Sequence, residues 1–173
     1  MEIVVVLNNV RSVYNVGSVF RTCDAAGASK IYLVGVTPTP LDRFGKFRAD
    51  FSKVALGAER TMAWEYFKNF GAVYKKLIRQ RADANGRTLA GGSYEILAVE
   101  QDKKSIPYFK YHPAKNKNLA LVFGEETKGL PKSVLDKADK ILEIPMRGRK
   151  ESLNVSVATG IVIYRVVETR LSF

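Results

Sequence analysis

Cysteine and histidine are nearly absent from this chain: there is one of each, Cys23 and His112, in 173 residues. A lone cysteine excludes an internal disulfide. One thiol and one imidazole cannot make a typical zinc site, so no metal is expected. Cys23 falls in an apolar-periodic stretch and reads as a small core residue, not a nucleophile. No apolar run is long enough to cross a bilayer, and no secretory signal is recognisable. The expectation is a soluble, cytoplasmic protein without a membrane partner. Acidic residues are also scarce, 17 against 28 Lys and Arg, which gives a formal net charge of +11. That surplus points to a polyanionic partner, above all nucleic acid, with solubility as the plain alternative.

What is present suffices for a core. Hydrophobic residues make up 46% of the chain, and its length suits one domain. There is no internal repeat and no low-complexity segment. Residues 2–7 form a continuous apolar run, expected as a buried strand. Residues 8–15 read as a polar loop, 16–26 as a helix with Val16, Val19, Phe20 and Cys23 on one face, and 31–36 as a second buried strand. Strand–helix–strand at this spacing signals a parallel α/β sheet. A loop over 37–50 carries Arg43, Lys46 and Arg48. A short helical stretch lies around 55–59, and a helix over 67–81 presents Phe70, Val73, Tyr74 and Leu77. Short strands are expected at 87–92 and 94–99, then a polar, lysine-rich stretch at 101–118. Further strands are expected at 119–123 and 140–144, with a helix over 131–136 between them. The last element is a long helix over 152–171, its packed stripe made of Leu153, Val157, Ile161, Tyr164 and Val167.

Three segments concentrate polar chemistry. Gly124-x-Glu126-x-x-Gly129 follows a buried strand, where α/β sheets bind ligands. Its glycines let backbone approach a ligand closely, although on its own the pattern is weak and a plain tight turn explains it better. The Gly-Lys-Ser/Thr ending of a phosphate loop is missing, and the spacing is not that of a dinucleotide fingerprint. Arg147, Arg149 and Lys150 stand beside a helix start and suit phosphate contacts; a solvated loop is the bland reading. Ser152 can cap the long helix, with Asn154 in its first turn. Arg21 lies off the apolar face of the first helix, where solvation or a pairing with a carboxylate such as Asp24 would account for it.

Taken together, the pattern is specific. Asn15-x-Gly17-x-x-x-Arg21, then Gly124-x-Glu126-x-x-Gly129, then Ile144-Pro145-Met146 with Ser152-Leu153-Asn154-Val155-Ser156, resembles the three motifs of the SpoU/TrmH branch of the SPOUT RNA methyltransferases. The match runs the whole chain in the right order. Ala55-Leu56-Gly57-Ala58-Glu59 with Trp64 is similar to a stretch seen in some members. The resemblance implies an α/β fold with a mostly parallel sheet flanked by helices and a C-terminal deep trefoil knot. It implies that S-adenosylmethionine is held by Gly124, Ile144, Met146, Ser152 and Leu153, with Ala90 and Gly91 matched more loosely. It implies a homodimer whose active site uses both subunits, with Asn15, Glu126 and Gly129 building that junction.

The implied reaction is methyl transfer to a ribose 2′-hydroxyl in RNA, with Arg21, Asn154 and Ser152 as the catalytic set. In this family the equivalent arginine is assigned to activate the hydroxyl. A guanidinium is nearly always protonated, so a phosphate- and oxyanion-binding role is physically easier than that of a base. Lys128, Arg147, Arg149 and Lys150, with Arg43, Lys46 and Arg48, form the expected RNA face. No separate RNA-binding extension is expected, and tRNA is favoured over rRNA. Alternatives are methylation of a base nitrogen and a non-catalytic RNA-binding module of the same fold.

Overall fold

The computed structural model describes residues 2–79, 94–114 and 116–171. Its centre is β1, Ile3–Asn8, with all six residues buried. Side chains alternate across a strand, so Ile3, Val5 and Leu7 join one core while Val4 and Val6 join the other. Burying each such side chain stabilises the fold by roughly 1.5–3 kcal/mol. A strand apolar on both faces belongs in the middle of a parallel sheet. Its neighbours are β2, Lys30–Val34, and a strand from the other end of the chain, Leu119–Phe123.

The sheet extends by one strand beyond β2 and by three beyond the other neighbour. Next to β2 lies β3, Trp64–Phe67, a half-buried edge strand. On the other side come β4, Glu95–Val99, and β5, Ile106–Pro107. Leu119–Phe123 is β6, and Lys140–Glu143 is β7. The sheet order is β3-β2-β1-β6-β4-β7-β5. Every pairing is parallel. All seven carboxyl ends therefore share one edge, and the loops that leave them share it too.

Helices cover both faces. The first core holds α1, Val13–Ala25, with α2, Ala49–Ala55, and α3, Ala58–Thr61. It is completed by the C-terminal helix. The second core holds α4, Phe70–Arg79, and α5, Lys132–Leu135. The C-terminal helix is α6, Val155–Leu171, packed across α1. Gly17 explains one motif position. A Cβ there would sit 3.2 Å from the Phe51 carbonyl oxygen and from Val54 Cβ, so glycine lets α1 and α2 close up. Phe20 and Phe51 then meet edge to face at 5.1 Å.

Several expectations are corrected. The first helix begins at Val13, because Ser12 Oγ accepts the Asn15 N–H at 3.3 Å and caps it there. Strand β2 stops at Val34, where Gly35 turns with φ +67°. Strand β3 was hidden by its weak alternation. Within the lysine-rich stretch lie β5 and a single 3-10 turn, Tyr108–Lys110. The long helix starts at Val155, not 152. Its predicted stripe is only partly inward: Leu153, Val157 and Tyr164 are exposed, Ile161 and Val167 are half-buried, and Val155, Thr159, Val162, Ile163 and Val166 are buried. The strand expected at 87–92, with Ala90 and Gly91, lies outside the described residues.

Candidate active site

The carboxyl ends of β4, β6 and β7 surround a cavity of about 330 Å³. Gly124–Gly129 forms one wall. The Gly129 N–H donates to the Glu125 carbonyl at 3.0 Å, closing a tight turn in which Gly129 has φ +63°. A Cβ on Gly124 would lie 2.5 Å from the backbone carbon of Gly129, a distance no side chain tolerates. Both glycines of the motif are thus required by backbone contact and by dihedral angle.

Glu100 is a site residue that sequence reading missed. Its carboxylate accepts the Leu130 N–H at 2.7 Å and the Gln101 N–H at 3.0 Å. It therefore braces the glycine turn from the neighbouring strand. Val99 pairs with Phe123, which sets Glu100 beside Gly124 at the sheet edge. A lone carboxylate directly after a buried strand was the available signal. Gln101 continues the wall, its amide donating to the Glu151 carbonyl at 2.6 Å.

The remaining wall comes from the segment after β7. Ile144, Met146, Ser152 and Leu153 line the cavity with Val155 and Ala158. Ser152 does not cap α6. That role falls to Asn154, whose Oδ1 accepts from the Ser156 N–H at 2.8 Å and the Ser156 hydroxyl at 2.7 Å. The Asn154 carbonyl accepts the Ala158 N–H at 2.9 Å, the first turn of the helix. With its oxygen committed, the Asn154 amide nitrogen points outward and donates to Asn15 Oδ1 at 2.9 Å. Asn15 in turn donates to Glu126 Oε1 at 2.5 Å. One chain of hydrogen bonds thus joins all three sequence motifs. Arg11 adds a pair to Glu125 at 3.2 Å, with the arginine largely exposed.

The electrostatics run against the protein as a whole. Glu100, Glu125, Glu126 and Glu151 line the cavity, with Lys128 as the single cation among the described lining residues. A basic chain has reserved an acidic pocket. The cations Arg147, Arg149 and Lys150 are exposed on the loop that follows Met146. Arg43 and Lys46 stand exposed on the loop after β2. Arg48 is partly neutralised by Asp50 at 2.8 Å.

Arg21 is not brought to the cavity. It is exposed, six residues beyond Asn15 on α1, or about 9 Å along the axis. No ion pair among the described residues joins it to Asp24, whose Oδ1 accepts the Thr61 hydroxyl at 3.2 Å. Cys23 is fully buried, and burial pushes its thiol well above the ordinary value, as a core residue requires. Among the described residues no cluster of ligating side chains could hold a metal ion, and no helix is long and apolar enough to cross a membrane.

Residues 2–164 match the model of the SpoU rRNA methylase family. The chain belongs to that family. It is 31% identical over 169 residues to a Haemophilus influenzae 23S rRNA (guanosine-2′-O-)-methyltransferase, covering 98% of this chain and 61% of that protein. It is 27% identical over 172 residues to an Aquifex aeolicus tRNA (guanosine(18)-2′-O)-methyltransferase, covering 98% and 70%. An AdoMet-bound rRNA methyltransferase from Sinorhizobium meliloti superposes with a TM-score of 0.78 at 29% identity, over 99% of this chain and 57% of that one. This SpoU chain therefore spans about three fifths of the length of the 23S rRNA relatives it matches.

Proposed function

We propose that this chain transfers the methyl group of S-adenosylmethionine to a ribose 2′-hydroxyl in RNA. The observation that carries the reading is the hydrogen-bonded chain Asn154–Asn15–Glu126, which ties the motif helix α1 to both walls of the acidic cavity.

The residues present fit the cofactor. Backbone at Gly124, Gly129 and Ile144–Met146 offers donors and acceptors at close range. Phe123, Leu153, Val155 and Ala158 offer apolar surface for an adenine. The four carboxylates suit a sulfonium and an ammonium group. When bound, the cofactor supplies an electrophilic methyl on a positively charged sulfur. The ribose O2′ forms a new O–CH3 bond as the S–CH3 bond breaks; S-adenosylhomocysteine leaves and the hydroxyl proton passes to water. The chain's own work is alignment and charge. Ser152 and Asn154 orient the nucleotide at the cavity mouth. The Arg21 guanidinium binds the adjacent phosphate and stabilises the charge that develops on O2′.

That last role needs a second subunit. Arg21 stands away from the cavity of its own chain, and the outward Leu153, Val157 and Tyr164 face lacks cover. We infer a homodimer that buries this face and completes each site. A C-terminal trefoil knot is part of this reading, and the placing of β4 between β6 and β7 is what supports it. The substrate proposed is tRNA, in the cytoplasm, although relatives named for tRNA and for rRNA both match. The test is incubation with labelled S-adenosylmethionine and total tRNA or rRNA, then nuclease digestion and mass spectrometry. Methyl found on a base nitrogen, or on no RNA, would overturn the reading.

A further inference from the structure

The loop after β2 is better built than a surface loop needs to be. Leu41 and Phe47 form an antiparallel bridge. Inside it, Asp42 Oδ1 accepts the Phe44 N–H at 2.8 Å and the Lys46 N–H at 2.9 Å. The Asp42 N–H donates to the Lys46 carbonyl at 2.8 Å, and the Arg48 N–H to the Pro40 carbonyl at 2.9 Å. Gly45 takes the left-handed turn position with φ +76°. The result is a small, pinned hairpin.

This hairpin displays aromatic rings rather than hiding them, Phe44 at its tip and Phe47 at the bridge that closes it. Phe44 is 71% exposed and Phe47 is 40% exposed. Each ring carries a guanidinium: Arg43 lies 4.7 Å from the Phe44 centroid, and Arg60 of α3 lies 4.6 Å from the Phe47 centroid. Single exposed apolar residues need no explanation. Two rings on one fixed turn, each beside a cation, do. Among the described residues no salt bridge joins the hairpin's acids to Arg43 or Lys46. Asp42 is occupied by turn N–H groups and Asp50 by Arg48, which leaves Arg43 and Lys46 for an anion.

The hairpin is also tied to the candidate site. Thr37, at its root, accepts the Val10 N–H at 3.1 Å and donates to the Leu7 carbonyl at 3.0 Å. Asn9 Oδ1 accepts the Val36 N–H at 3.2 Å. This fastens the root to the loop that carries Arg11 and leads to Asn15. Strand β2 lies two positions from β6 in the sheet, or about 10 Å.

We propose that the 41–47 hairpin is a stacking platform for an unpaired RNA base near the methylated nucleotide, with Phe44 as the stacking surface and Arg43 and Lys46 on the flanking phosphates. This rests on the RNA reading above and narrows it. A base inside a duplex offers no free face, so the platform takes single-stranded or looped RNA. Rings supply stacking with any base, and the adjacent cations make phosphate the favoured charge partner, not an apolar protein surface.

The experiment measures anisotropy of a labelled oligouridylate and of a blunt RNA duplex on the wild-type protein, Phe44→Ala and Phe44→Trp. The expected result is tighter single-strand than duplex binding by the wild type. Phe44→Ala should lose about tenfold on the single strand alone, and Phe44→Trp should restore it. Equal losses on both RNAs, or no loss, overturn the platform. A shift in the monomer–dimer equilibrium of Phe44→Ala on sedimentation makes the ring a protein contact and overturns it as well. Thermal stabilisation by S-adenosylmethionine is recorded in parallel. If it and methyl transfer persist while Phe44→Ala is silent, the platform fails and the proposed activity stands.

Discussion

Asn15 donates its side-chain amide to Glu126 across 2.5 Å, although 111 residues separate them in sequence. Its oxygen is held from the other side by Asn154. A small amide between a carboxylate and a second amide is a positioning device, not a stability device, since exposed polar pairs stabilise little. Asn15→Ala should move the melting temperature by no more than a few degrees. It should lower kcat for methyl transfer at least tenfold, with cofactor affinity nearly unchanged. Turnover alongside differential scanning fluorimetry checks this, and parallel losses in both would assign Asn15 a structural role.

Arg21→Ala is expected to leave the fold and cofactor binding intact and to lower methyl incorporation by about 100-fold or more, the scale for losing one preorganised donor. Calorimetric titration with S-adenosylmethionine and a labelled-methyl assay separate the two. Near-full activity would dismiss the residue from the site.

Gly124→Ala places a carbon 2.5 Å from the Gly129 backbone, where nothing flexible can yield. A loss of several kcal/mol is expected, with loss of cofactor binding. Gly148→Ala is the control, because its Cβ would meet nothing within 4 Å. Urea unfolding of the pair measures the difference.

Arg147, Arg149 and Lys150 are exposed next to the cavity. If they meet phosphate, each neutralisation should reduce the slope of log affinity against log salt by roughly 0.7–0.9. Equal slopes for wild type and an Arg149→Ala variant would exclude that contact.

Glu59 sets an acid limit on the fold. Burial pushes its carboxyl up, but its own amide, Ser52, the Gly57 N–H and the charge of Arg60 outweigh that and hold it below the ordinary 4.5. A depressed carboxyl binds its proton more weakly when folded. Its stabilisation is complete above the ordinary value and fades as pH falls below it. Glu59→Gln should cost about 1 kcal/mol at neutral pH and flatten stability across that acid range. Thermal melts as a function of pH read both.

Much of this was legible in sequence, for definite reasons. Strands apolar on both faces, such as Val4–Leu7 and Leu119–Phe123, announce a central parallel position. The motif residues Asn15, Glu126 and Asn154 carry too much polarity for the apolar runs beside them. Other features depend on partners far along the chain. Strand β3 exists because β2 offers it an edge. Glu100 matters because Gly129 and Leu130 pass beside it. The face of α6 could not be chosen from its own residues, because valine and isoleucine occur nearly all round it. Whether Val157 or Val162 turns inward is decided by α1.

The pairing of β1 with β6 bears on how this chain is born. Val4 joins β2 within thirty or so residues, but its other edge waits for Ala120. At about 5–20 residues per second of synthesis, that edge stays open for several seconds. Contacts this distant in sequence also fold slowly, because the loop between them must be closed first. The growing chain thus displays a strand apolar from Ile3 to Leu7, unpaired on one side, while most of its length is still being made. The strand that later centres the molecule is, in that interval, its most aggregation-prone segment and a natural binding site for a chaperone.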